Sequence, residues 1–335
     1  MQNKSMYNHQ PVIINEIKTT SGTEEGFHGD VIKGLKSSPK YLDSKYFYDG
    51  IGDKLFQQIM HCPEYYPTRC ELEILSGQTD ALIKLFTQSD EGFDLVELGA
   101  GDALKSSYLL ENLVQSKIDF TYYPIDISEN VINHLHQDLP QRIPVLPIHG
   151  LNGEYFEMLQ KANNLSKRKK VVLFLGSNIG NMFPEDAETF CRRLKENLSL
   201  GDLLLIGFDL KKDPLTILDA YNDKQGFTRD FNLNLLNRIN RELGGNFKIE
   251  HFKHFPTYDP GTGSCKSYLV SSRDQKVRIN DIEIDFKENE CIHMEISHKY
   301  TIDGIDKLAR ATGFTPLSYF YDSKKWFVDA VWACR

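Results

Sequence analysis

Four groups of residues in this chain have the types and spacing to do chemistry. Gly99 and Gly101 follow Glu97 at alternate positions, and a side-chain-free turn of this kind lets a small molecule lie against the backbone. Asp126 stands 25 residues beyond Gly101, where a carboxylate can accept both hydroxyls of a nucleoside ribose. A helix cap or a solvated loop acid would use the same residue. The run Gly176-Ser-Asn-Ile-Gly-Asn181 carries two glycines and an apolar Ile179, more than a plain turn requires. Glu295 and Ser297 alternate, so on a strand they share a face and offer an acceptor and a donor/acceptor to one small polar group, such as an imidazole. On an edge strand they would simply face solvent.

These groups need elements to position them. Residues 94–98 read as a buried strand, followed by the glycine turn and a helix from Lys105, which is how a nucleotide-type α/β domain begins. A dinucleotide fingerprint would place glycine at 104, where Leu104 stands, and there is no GK[ST] for a nucleoside triphosphate. The Glu97-x-Gly99-x-Gly101 pattern instead looks like the first motif of class I S-adenosylmethionine methyltransferases, whose ligand has no phosphate. Further strands are expected at 120–126, 143–148, 171–175 and 203–209. Ser128 is expected to cap a helix over 129–136, and another helix is expected over 184–198. Strands alternating with helices imply a parallel sheet. Past Asp209 the rhythm changes. Helices over 215–222 and 229–243 and strands over 247–255, 264–271 and 276–286 form a mixed insertion. A helix over 301–312 and strands over 317–321 and 327–333 then close the chain. Upstream, residues 30–35 and 54–60 have helical period, Thr68 is placed to cap a helix beginning near Cys70, and residues 1–20 read as a loose polar tail.

The 335 residues are 40% hydrophobic and 26% charged with a net charge of −8. That balance suits a small-molecule enzyme and argues against nucleic acid as a main partner. The apolar runs are strand-length, so no membrane span is expected. The six cysteines, at 62, 70, 191, 265, 291 and 334, show no metal or disulfide spacing, which points to a reduced, cytoplasmic protein. His134-x-His136 and His251-x-x-His254 lack a third ligand in pattern, so no metal site is expected.

Taken together, YDGIG at 48–52, PEYYPTR at 63–69, ELGAGDALK at 97–105, YPIDIS at 123–128, FLGSNIGN at 174–181, GFDLKKD at 207–213, AYND at 220–223, FNLNLLNRINRELGGNF at 231–247 and MEIS at 294–297 resemble the histidine-specific Nα-methyltransferases of ergothioneine biosynthesis. That family also includes fungal tryptophan N-methyltransferases. The resemblance covers nearly all of the chain after residue 25. It implies an α/β class I methyltransferase fold with a Rossmann-like sheet, and a second, smaller α+β substrate-binding domain. The S-adenosylmethionine domain would comprise 69–211 and 300–335, and the substrate domain 21–68 and 212–299. Cofactor contacts would fall to Gly99, Gly101, Lys105, Asp126, Gly176 and Ser177. Tyr65, Asn181 and Tyr221 match residues that hold the amino acid's carboxylate and orient its amine, Tyr48 matches a tyrosine near the amine and ring, and Glu295 with Ser297 matches the pair that reads the imidazole. Tyr48, Asn181 and Tyr221 are the catalytic candidates.

Two positions depart from the family's histidine enzymes. Asn152 stands in place of an acidic residue that reads the adenine amine, and Ser267 in place of a bulky methionine lining the substrate pocket. The implied reaction is transfer of the donor methyl to the α-amine of a free amino acid, repeated to the trimethylated betaine, by a monomer. Tryptophan or another amine is the rival substrate, and a non-catalytic adenosylmethionine-binding subunit the rival class.

Overall fold

A computed structural model describes residues 24–335 apart from 89 and 90; the tail expected over 1–20 lies outside the described residues. Thirteen strands occur among them. In chain order they are β1 (Lys40–Tyr41), β2 (Phe93–Leu98), β3 (Phe120–Asp126), β4 (Leu151–Asn152), β5 (Lys169–Phe174), β6 (Leu203–Asp209) and β7 (Phe252–Asp259). β8 (Ser264–Ser271), β9 (Gln275–Ile279), β10 (Ile282–Phe286), β11 (Cys291–His298), β12 (Phe314–Tyr321) and β13 (Phe327–Cys334) follow.

Seven strands form one sheet in the order β12-β13-β6-β5-β2-β3-β4. β2, β3, β4, β5 and β6 pair in parallel, while β13 runs antiparallel to both β6 and β12. A parallel sheet with one reversed strand inserted next to its edge is the class I methyltransferase order, so the fold class read from the sequence is the one observed. Every residue of β2, β6 and β13 is buried, as expected for strands covered on both faces. Lys170 on β5 meets Asp94 on β2 at 2.9 Å as a buried ion pair, whereas Asp329 on β13 is buried without a hydrogen-bond partner among the described residues, and burial pushes its carboxyl well up.

β1, β11, β8 and β7 form a second sheet, and β9 and β10 a hairpin. β1 pairs in parallel with β11 through Lys40–Ile292 and Tyr41–His293, which ties the N-terminal segment to the insertion after β6. This second unit packs on its own core, in which Phe27, Phe47, Leu235, Phe252, Phe286 and Met294 meet. One of the two cores flanking the large sheet reaches into it, joining Tyr66 and Leu205 to Ile217, Tyr221 and Cys265.

Several elements differ from the sequence expectation. Residues 143–148 form no strand; Ile148 makes a single bridge to Tyr122, and the edge strand is the two-residue β4. The stretch 276–286 is two strands that turn at Asn280, whose φ is +49°, a left-handed position that asparagine tolerates. Thr68 lies inside a helix that starts at Tyr66 with Pro67 in its first turn, the favoured place for proline. β7 starts at Phe252, after a 3-10 turn over Ile249–His251. Helices Thr79–Phe86 and Tyr155–Leu165 have no counterpart in the sequence expectation. Ser128 caps the helix Glu129–Arg142 by accepting the Val131 N–H.

Candidate active site

The carboxyl ends of β2, β3, β5 and β6 converge, and the chemistry-bearing loops leave from them. Gly99 and Gly101 hold φ of +73° and +54°, left-handed values that cost little only for glycine. A Cβ on Gly99 would come within 2.9 Å of the Tyr155 hydroxyl, whereas one on Gly101 would meet nothing within 4 Å. The open side of Gly101 is therefore where a ligand can approach the backbone. Asp126 is drawn across this turn: its Oδ2 accepts the Gly101 N–H at 3.2 Å and its Oδ1 the Ser128 N–H at 2.9 Å. Asn152 donates through Nδ2 to the carbonyls of Asp126 and Ile127, each at 3.0 Å. Its Oδ1 is left as the acceptor.

The loop after β5 is anchored from beneath. Gly176, at φ +79°, donates its N–H to both oxygens of Glu71, at 2.8 and 2.9 Å. Lys105 is ion-paired to the same carboxylate, and a Cβ on Gly176 would lie 3.3 Å from its Nζ. Ser177 is also left-handed, and its Oγ accepts the Asp209 N–H at 3.1 Å.

Next to this loop a cavity enclosing about 400 Å³, open solvent at its mouth included, is lined by residues from distant parts of the chain. Tyr48, Phe56 and Tyr65 come from the N-terminal segment, Asn181 from the β5 loop, Tyr221 from the turn after helix Pro214–Ala220, and Glu295 and Ser297 from β11. The aromatic rings form a continuous wall: Tyr48–Phe56, Phe56–Tyr65 and Tyr65–Tyr221 centroids are 5.7, 6.5 and 6.3 Å apart. Ser267 faces Glu295 across the β8–β11 pair and is buried, but it does not line the cavity. Among the described residues no group of side chains is arranged to hold a metal; His136 instead accepts the Gly150 N–H at 3.1 Å. No described helix is long and apolar enough to cross a membrane.

The histidine-specific, S-adenosylmethionine-dependent methyltransferase family matches residues 27–334. This chain belongs to that family. The histidine N-alpha-methyltransferases of Mycolicibacterium smegmatis and Mycobacterium tuberculosis are 34% and 33% identical to it. Those matches span 84% and 88% of this chain and 86% and 90% of theirs. An L-tryptophan methyltransferase of Psilocybe serbica is 26% identical over 94% of this chain and 95% of its own.

The methyltransferase thus uses S-adenosylmethionine, and the residues present fit that donor: an open glycine turn, an acidic side chain beside it, and a second glycine loop bordering the cavity. Desolvation pushes Glu295 up to about 7, and the Lys299 charge opposes that rise. Burial likewise pushes Glu97 up to about 7 although the Tyr122 hydroxyl donates to it at 2.5 Å. The phenols of Tyr48, Tyr65 and Tyr221 are all held well above their ordinary values, chiefly by desolvation. They are protonated at neutral pH, and the Tyr221 hydroxyl donates to Ser297 Oγ at 2.6 Å.

Sequence reading missed Glu71, Phe56, Asp209 and Lys299. Lys299 carried a signal, since it continues the Glu295, Ser297 alternation. Glu71 carried none, because its partners Lys105 and Gly176 are remote in sequence.

Proposed function

We propose that this enzyme methylates the α-amine of L-histidine, three times in succession, to give the trimethylated betaine. The observation that carries this reading is that one cavity holds the Glu295–Ser297 pair, the Tyr221 and Asn181 polar groups and the Gly176–Ser177 loop. Glu295 accepts the imidazole N–H while Tyr221 and Asn181 hold the carboxylate, so the amine points toward the glycine loops. S-adenosylmethionine supplies a methyl already activated on a sulfonium. The protein's task is then to place the amine nitrogen in line with that methyl and to keep water aside, an effect worth roughly 7–11 kcal/mol. The amine must first lose its proton. Tyr48, held protonated, is a donor and orienter, and the proton leaves through the open mouth to solvent. The aromatic wall of Tyr48, Phe56 and Tyr65 suits a nitrogen that ends as a quaternary cation.

In this reading the cofactor domain comprises 69–211 and 300–335, and the substrate domain 21–68 and 212–299, in support of which β1 and β11 pair. Gly99, Gly101, Asp126 and Lys105 serve the donor, and the free Oδ1 of Asn152 takes the adenine amine. The enzyme works as a cytoplasmic monomer, and its net charge of −8 disfavours a nucleic-acid partner. A tryptophan specificity would draw on Ser267. That residue lies beside Glu295 across the strand pair and does not line the cavity, and an indole, which has no acceptor nitrogen, would leave the Ser297 hydroxyl without a ring partner. Mass spectrometry of the products formed from S-adenosylmethionine and a pool of all amino acids tests the proposal. Histidine should gain three methyl groups; methylated tryptophan with unmodified histidine would refute it.

A further inference from the structure

At the cavity wall, which Asp209 itself helps to line, sits a charge cluster with no place in the chemistry above. Lys299 is completely buried, and its ammonium is within 2.8 Å of Asp209 Oδ2, 2.7 Å of the Tyr221 hydroxyl and 2.8 Å of Ser297 Oγ. An ammonium has three protons and no acceptor, so these three oxygens use it fully. Asp209 is itself doubly served: Lys212 is ion-paired to it, and the Tyr66 hydroxyl lies 2.8 and 3.0 Å from its two oxygens. Two lysines thus share one buried carboxylate, leaving one positive charge in excess directly behind Tyr221 and Ser297.

We propose that Lys299 is a positioning and specificity residue that fixes the Tyr221 and Ser297 hydroxyls as donors into the cavity and draws the substrate's carboxylate to Tyr221. Both hydroxyl oxygens accept from Lys299, so the hydrogen of each must point elsewhere. The Tyr221 hydroxyl donates its hydrogen to Ser297, at 2.6 Å. With substrate present the Tyr221 hydrogen turns to the carboxylate and the Ser297 hydrogen to the unprotonated ring nitrogen. Glu295 takes the other ring nitrogen's N–H. The ring is then read as one donor and one acceptor, which a neutral imidazole offers and a donor-only indole does not. Glu295, held near 7 by burial, balances that excess only in part, and an amine substrate without a carboxylate leaves the remainder uncompensated.

The inference rests on the histidine reading above, and one pair of substrates separates the two. Histamine has the same ring and amine but no carboxylate. The wild-type enzyme should prefer histidine to histamine in kcat/KM. In Lys299→Met, where Lys212 and Tyr66 still serve Asp209, that preference should shrink about 10- to 100-fold, the loss carried by KM for histidine. Histamine, whose ring Ser297 also reads, should lose less in kcat/KM than histidine does, and the affinity for S-adenosylhomocysteine by calorimetry should move less than about threefold. Taking the ratio of variant to wild type for each substrate cancels their different amine basicities. If Lys299→Met does not fold, Lys299→Gln, which drops the charge but keeps donors, gives the same comparison. Equal losses for both substrates would make Lys299 merely structural and overturn the inference while leaving the histidine reading intact. A wild-type enzyme indifferent to the carboxylate would overturn the clamp and the inference together.

Discussion

Glu295 and Glu97 carry a cost that the fold tolerates. Both sit near 7 because desolvation disfavours their charged forms. A carboxyl whose folded-state pKa is raised contributes stability fully below its ordinary value of 4.5 and loses it as the pH climbs through about 7. The ligand-free enzyme should therefore weaken across that window. Glu295→Gln keeps the volume and removes one of the two titrations. At pH 8 the variant should be more stable than wild type by about 2 kcal/mol, a figure reduced for the open cavity mouth, with the difference vanishing near pH 4.5. Denaturant melts at both pH values measure it, and a pH-independent difference would exclude desolvation of Glu295 as the cause. Histidine affinity should fall in the same variant, an exchange of stability for recognition of the kind common at binding sites.

Turns and strand irregularities aim the side chains. Register on β11 shifts between His293 and Glu295, and a bulge of this type changes which residue faces a given neighbour. Here Glu295, not Met294, comes opposite Ser267, while Met294 goes to the core of the second unit. At the β2 turn the constraint is steric. Gly99→Ala would place a methyl 2.9 Å from the Tyr155 hydroxyl at φ +73°. A loss of about 1–2 kcal/mol in stability is expected, with at least about tenfold weaker S-adenosylhomocysteine binding as the turn yields. Gly29 serves as the control. It lies in helix Glu24–Lys36, where an added Cβ would meet only open space, so Gly29→Ala should stabilise by about 0.5–1 kcal/mol. Thermal melts and calorimetry on the two variants check both; a neutral Gly99→Ala would mean that the turn is not held as described.

Across the whole molecule, the cavity has two kinds of wall. Gly176 and Ser177 leave the large sheet, whereas Glu295 and Ser297 belong to the small one. Asp209 joins them, accepting from Lys299 on the substrate side while its backbone N–H donates to Ser177 on the other. In the proposed reading, donor and amino acid share this hydrogen-bonded partition. Histidine should bind about fivefold tighter or more when S-adenosylhomocysteine is present, and linkage requires the same factor in reverse. Titration calorimetry of each ligand with and without the other measures both factors. Independent affinities would show that the partition transmits nothing.

Local pattern and residue type were enough for much of this. The buried strand before Gly99, the Ser128 cap, the glycine turns and the shared face of Glu295 and Ser297 all follow from periodicities and backbone preferences that act over a few residues. The resemblance of the ordered motifs supplied the family and the reaction class. Other features depend on which remote segments meet. The stretch 143–148 meets β3 only through the Ile148–Tyr122 bridge, and the strand beside β3 falls instead at Leu151–Asn152. The pairing of Glu71 with both Lys105 and Gly176 joins positions 34 and 105 residues apart. The Lys299 cluster needs Asp209 from the large sheet and Tyr221 from the insertion. A buried charge is tolerated only where its partners are already assembled, so the sequence names the lysine and only the folded chain determines what it does.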